Sequence, residues 1–104
     1  MVQESILIDE DYKEKTEGAI GILVFHKKLC PNCRVLNKML IKFFDANPEI
    51  YHWSVDSEEN PEVMGAFGIE RVPTIVILKN GSLRAKKVGL FNIREMAEFC
   101  KEMY

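Results

Sequence analysis

The sequence predicts an α/β domain, a central mixed β-sheet flanked by helices in the order βαβαβ followed by ββα. Three observations predict it. Ile20 to Phe25 is a continuous apolar run, the pattern of a strand buried on both faces of a sheet. Soon after it, Val35, Leu36, Met39, Leu40, Phe43 and Phe44 recur in pairs four apart, with Arg34, Lys38, Lys42 and Asp45 between them. That is a helix with one apolar and one charged face. Further on, Asn80-Gly81 is the strongest short-range hairpin signal, and it turns the apolar run Val72 to Leu78 back antiparallel into Leu83 to Val88. Crossover-linked strands followed by a hairpin make a mixed sheet with helices on both faces.

The remaining elements follow in chain order. Ile6-Leu7-Ile8 is expected as a short first strand, with Asp9 capping a small helix over residues 10–17 that stops at Gly18. The buried strand and the long helix come next, the helix ending near Asn47-Pro48. Over 50–56, apolar Tyr51, Trp53 and Val55 alternate with His52 and Ser54, a strand with unequal faces. Asn60-Pro61 starts a helix, with Asn as N-cap and Pro as first residue, and Gly68 stops it after Phe67. Pro73 sits at the mouth of the next strand, where a missing N–H is tolerated. Gly89 ends the hairpin's second strand. Asn92-x-x-Glu95 has the form of a capping box, and Phe91 and Met96 are spaced as a hydrophobic staple. Ile93, Met96, Ala97, Cys100 and Met103 then make the face that packs on the sheet.

Length and composition bound the function. A chain of 104 residues is one domain with a single core, and 47% hydrophobic with 29% charged residues is ordinary globular content. A net charge of -2 gives no electrostatic case for nucleic acid or an anionic membrane. The longest apolar run is far short of a bilayer span. Met1 to Ser5 carries no basic region followed by an apolar core, so no signal peptide is read and a cytoplasmic location is expected. There thiols are kept reduced, and a two-cysteine motif serves catalysis or metal binding rather than a structural staple.

That motif is Cys30-Pro31-Asn32-Cys33, between the buried strand and the long helix. Pro31 suits the first helical position, which leaves Cys30 at the N-cap and Cys33 one turn inside. Backbone N–H groups at the helix start then point towards the Cys30 sulfur. A helix N-terminus favours an anion by up to about 2 kcal/mol in a partly buried geometry. Lys27 and Lys28 add positive potential. Cys30 is therefore the expected nucleophile, and Cys33 is placed to resolve the mixed disulfide that its attack creates. A zinc site would want four ligands, and Cys100, His26 and His52 supply no second pair at ligand spacing, so no metal is expected. Cys100 reads as core filling on an apolar helix face, and Trp53 and the Phe43-Phe44 pair read as core. Arg34, Lys38 and Lys42 form a basic helix face, solvated by default and able to steer an acidic partner.

The dithiol at a helix start, Val72-Pro73-Thr74 about forty residues later, the Lys79-Asn80-Gly81 hairpin and Val88-Gly89 before the last helix together resemble the thioredoxin family, over nearly the whole chain. The resemblance implies a thioredoxin fold and a protein-disulfide reductase. Such an enzyme needs no bound cofactor, acts as a monomer on disulfide-containing client proteins and is restored by a reductase-type electron donor. It implies that Pro73 is a cis proline facing the dithiol, with Pro31 and Asn32 also supporting the active site. It further implies that the Val72 backbone pairs with substrate, and that Leu29, Pro31, Val72 and Leu90 rim an apolar docking surface.

Four positions depart from the family pattern. Pro31-Asn32 stands where Gly-Pro is usual, a Pro-first order closer to glutaredoxins and to oxidising members of the superfamily. Leu29 replaces the tryptophan before the first cysteine, and Lys38 replaces a helix-kinking proline. Val24 replaces the buried aspartate that helps move the proton of the second thiol, and the usual lysine partner of that aspartate is His52. Cys33 must lose a proton before it attacks, which makes His52 and His26 the candidate proton-transfer residues, with solvent water as the bland alternative. A glutaredoxin-like or oxidising enzyme, or a non-enzymatic interaction or metal-binding module, are the rival functions.

Overall fold

Among residues 4–103, which this computed structural model describes, five strands and four helices follow one another as the sequence predicts. They are β1 (Glu4–Ile6), α1 (Tyr12–Thr16), β2 (Ile20–His26), α2 (Pro31–Ala46), β3 (His52–Asp56), α3 (Pro61–Ala66), β4 (Thr74–Lys79), β5 (Ser82–Val88) and α4 (Ile93–Phe99), closed by a 3-10 turn over Cys100–Met103. The strands lie in the order β1-β3-β2-β4-β5. β1, β3 and β2 run parallel, as crossover connections through helices require. β4 is antiparallel to β2, and β5 to β4.

The strand period of two sends alternate residues to opposite faces. Ile22, Ile75 and Ile77 pack with Leu36, Leu40 and Phe44 of α2 and with Met96 of α4. Leu23, Phe25, Trp53, Val55 and Val76 pack on the other face with Tyr12 of α1 and Val63 of α3. The continuous apolar run of β2 is thus explained: helices cover it on both sides. Gly21 lets the sheet close here, because a Cβ at this position would lie 2.6 Å from the Trp53 ring and 2.7 Å from the Tyr51 carbonyl oxygen.

At the hairpin, Asn80 and Gly81 both take positive φ, +56° and +78°, the backbone of a two-residue turn whose twist matches its strands. A register shift between Ile77 and Leu78 marks a bulge that places Arg84 between their partners Ala85 and Leu83. The capping box before α4 forms in both directions, with Asn92 accepting from the Glu95 N–H and Glu95 accepting from the Asn92 N–H.

Several local expectations need correction. The first strand is 4–6 rather than 6–8: Leu7 turns into the core and Ile8 already belongs to the loop. Asp9 does not cap α1, whose N-cap is Asp11 and which makes no side-chain cap bond. The Asp9 carboxylate instead accepts from the backbone N–H groups of Val63 at 2.9 Å and Glu62 at 3.3 Å, at the start of α3. Asn60, expected to cap α3, accepts the Asp9 N–H and donates to the Asp56 carbonyl. Asp9 thus takes over the capping of α3, and Asn60 ties the β1–α1 loop to the β3–α3 loop. On β3 the expected faces also fail at the edge, since Tyr51 is exposed and His52 is buried under α2. Along α4, Met96, Cys100 and Met103 are buried, but Ile93 and Ala97 face out because the helix is only two turns long.

Candidate active site

The dithiol stands where β2 hands over to α2. His26 ends the strand, and the chain crosses Lys27 and Lys28 to Leu29, which takes a left-handed backbone (φ +53°) and is 88% exposed. Cys30 is the N-cap, in an extended conformation, and Pro31 is the first helical residue, as its missing N–H and preset φ favour. The Cys33 backbone N–H donates to Cys30 Sγ at 3.2 Å, and the Arg34 N–H donates to the Cys30 carbonyl at 3.2 Å. The helix start therefore holds the Cys30 sulfur against its own amide groups, where negative charge on that sulfur is favoured. A Cys30–Cys33 disulfide closes over one helical turn, with 5.2 Å between Cα atoms. Pro31 and Asn32 between them are exposed, while both cysteines are buried.

Positive charge lies on the connection before the pair and along the helix after it. Lys27, Arg34, Lys38 and Lys42 are exposed on the connection and along α2, and Lys28 reaches Glu59 at 3.8 Å. Across from the cysteines, the Val72–Pro73 peptide bond is cis. Pro73 is buried, and its carbonyl accepts the Gly89 N–H at 2.9 Å, which fixes the strand mouth to the end of β5. Val72 is half-buried, and Leu90, just past Gly89, is half-exposed.

Behind Cys33 a cleft of about 530 Å³ opens between α2 and the sheet, and Pro73 also lines it. Its strand side carries Val24, His26, His52 and Ser54, and among the described residues that line it there is no carboxylate. The β2–β3 register puts Val24 opposite Ser54. His26 Nε2 and Ser54 Oγ share a hydrogen bond of 2.7 Å. His52 lies deeper, 3% exposed, its ring parallel to that of Phe44 with centroids 3.8 Å apart.

The cleft thus brings Cys33, Pro73, His26 and His52 together. It adds Ser54, which sequence reasoning missed. Its one signal was the alternation that puts Ser54 on the same face as His52; the cross-strand register that pairs it with His26 is not local. Cys100 sits elsewhere, buried beneath α4, and burial pushes its thiol up to about 11. It is the core residue that its helix face predicted, and its environment makes a poor nucleophile.

A family model described as Thioredoxin matches residues 4–102. A thioredoxin of Rickettsia bellii is 28% identical over 98 residues, which cover 91% of this chain and 93% of that protein. A putative thioredoxin 2 of Streptomyces coelicolor is 31% identical over 64 residues, 62% of this chain and 48% of the relative, so the match spans about half of that longer protein. The solved thioredoxin structure of Malassezia sympodialis superposes with a TM-score of 0.84 at 23% identity, covering 98% of this chain and 91% of that one, a likeness of fold.

Proposed function

The chain belongs to the thioredoxin family, and from that premise we propose that it is a cytoplasmic reductase of disulfides in client proteins. Family membership and the Cys30/Cys33 pair support thiol–disulfide oxidoreductase chemistry; the direction of electron flow and the location are our reading. The observation that carries it is the Cys33 N–H on Cys30 Sγ at the start of α2, which favours a thiolate at Cys30 once the pair is reduced.

Cys30 attacks a client disulfide, forming a mixed disulfide and releasing one client thiolate. Cys33 then attacks Cys30 Sγ, the second client sulfur leaves with the electron pair, and the protein is left with its internal disulfide. A thioredoxin-reductase-type donor restores the dithiol, and no bound cofactor takes part. Cis Pro73, Pro31 and Asn32 shape the site, while Leu29, Val72 and Leu90 form the surface on which an extended client segment docks. His26 and His52 are the candidates for moving the Cys33 proton. The protein acts as a monomer.

The Pro-first dipeptide and Val24 favour a second reading, an oxidising or isomerising member of the superfamily. The reduction potential separates the two. A value near about −270 mV supports a reductase, and one roughly 100 mV higher overturns that direction. The enzyme reading itself is tested with Cys33→Ser. Cys30 of this variant should retain clients as mixed disulfides that dithiothreitol releases, and the wild type should reduce insulin with dithiothreitol as donor. No adduct and no insulin reduction would leave a non-enzymatic module.

A further inference from the structure

We propose that Ser54 is a positioning residue for the step that frees the client, holding His26 at the cleft as the acceptor of the Cys33 thiol proton. The proposal rests on the reading of Cys30 and Cys33 as a nucleophilic and a resolving thiol.

The step needs an acceptor because a protonated thiol is a poor nucleophile, and Cys33 is only 8% exposed. Among the described residues lining the cleft there is no carboxylate, and the position opposite Ser54 is Val24, which cannot take a proton. Lys27 and Arg34, also lining it, are cations with no lone pair to offer. Two imidazoles remain. His52 lies flat against Phe44 in the interior, whereas His26 is half-buried at the end of β2, with the cleft on one side and solvent on the other. A group in that position can receive a proton from inside and pass it to bulk water.

Ser54 is what fixes the ring. Its hydroxyl oxygen lies 2.7 Å from His26 Nε2, and with Nε2–H as the donor of that bond Nδ1 keeps the lone pair that takes up a proton. The charged and titratable groups around the ring come from three elements. Lys27 follows it just past β2, Asp56 is its register partner on β3, His52 lies further along β3 opposite Ile22, and Cys33 and Arg34 line the cleft from α2. Pro73, just before β4, also lines the cleft, and β4 adds no ionisable group there.

The step balances without any further reactant. The Cys33 S–H gives its proton through cleft water to His26. The thiolate then forms a bond to Cys30 Sγ, the bond from Cys30 to the client sulfur breaks, and the client leaves as a thiolate carrying the electron pair. The imidazolium returns its proton to that thiolate or to solvent.

Stopped-flow reaction of the reduced protein with 5,5′-dithiobis(2-nitrobenzoate) tests this, because one thionitrobenzoate is released by Cys30 attack and a second by Cys33 resolution. Ser54→Ala and His26→Gln should each slow the second phase about tenfold at pH 7 and move its pH profile upwards, and Ser54→Thr should restore the wild-type profile. Circular dichroism reports that each variant is folded, and the first phase that Cys30 reacts. A second phase of Ser54→Ala superimposable on wild type at every pH overturns the proposal. If His26→Gln superimposes as well, the proton goes to solvent. Absence of the first phase in the wild type would instead overturn the underlying dithiol reading.

Discussion

Asp9 caps a helix that begins fifty-two residues further along the chain: its carboxylate accepts the Val63 N–H at 2.9 Å and the Glu62 N–H at 3.3 Å. Asn60 returns the contact by accepting the Asp9 N–H at 2.9 Å. A helix cap is usually a local device, and here it also ties the β1–α1 loop to the β3–α3 loop. Asp9→Ala should lower stability by about 1 kcal/mol, the typical loss of a side-chain cap. Urea unfolding of the two proteins checks this. An unchanged midpoint would mean that the loop contact stabilises nothing.

Gly21 and Gly65 should respond to alanine in opposite directions. At Gly21 a Cβ meets backbone oxygen and an indole ring inside 3 Å, so Gly21→Ala forces the sheet or Trp53 to shift, at a cost of roughly 1–3 kcal/mol. At Gly65, within α3, a Cβ meets nothing within 4 Å. Gly65→Ala should therefore gain about 0.5–1 kcal/mol from helix propensity. Thermal unfolding of both variants beside wild type shows whether the signs differ.

Cys100 sets a pH dependence at the alkaline end. Burial raises its thiol from 9.0 to about 11, so folding favours the protonated form. Its contribution to stability is complete below about pH 9 and is lost as the pH rises through about 11. The denaturation midpoint of the wild type should fall more steeply between pH 8 and pH 11 than that of Cys100→Ala. Iodoacetamide at pH 8 should label two of the three cysteines in the reduced native protein, and the third only after unfolding.

Asn92→Ala should cost about 1 kcal/mol, since it removes the acceptor of the Glu95 N–H at 2.8 Å and half of the reciprocal box. Asn92→Ser should retain most of it. Equal losses for the two variants would show that the box does not hold the start of α4.

The contrast between Asn92 and Asp9 marks what a sequence discloses. Phe91, Asn92, Glu95 and Met96 lie within six consecutive residues, and spacing alone assigns them. The same holds for Cys30 and Pro31 at the start of α2 and for Asn80-Gly81 at the hairpin. The element order is legible for a similar reason, because strand and helix periods are properties of short windows. Asp9 fails because two aspartates, Asp9 and Asp11, stand near the expected helix start, and the partner that decides between them lies on another loop. His52 was misplaced because alternation gives two faces but not which of them α2 covers. The His26–Ser54 pair needed the parallel register of β2 and β3, which is set by the crossover and by the packing of both faces rather than by either strand.

Trp53 is the only tryptophan, and its ring lies over Gly21 on the α1/α3 side of the sheet, whereas the cleft behind Cys33 opens on the α2 side. A sheet one residue thick separates the chromophore from the sulfurs. Its emission should therefore follow the melting of the domain and stay nearly constant when dithiothreitol opens the disulfide, so the protein carries an optical probe of folding that does not register its own redox state.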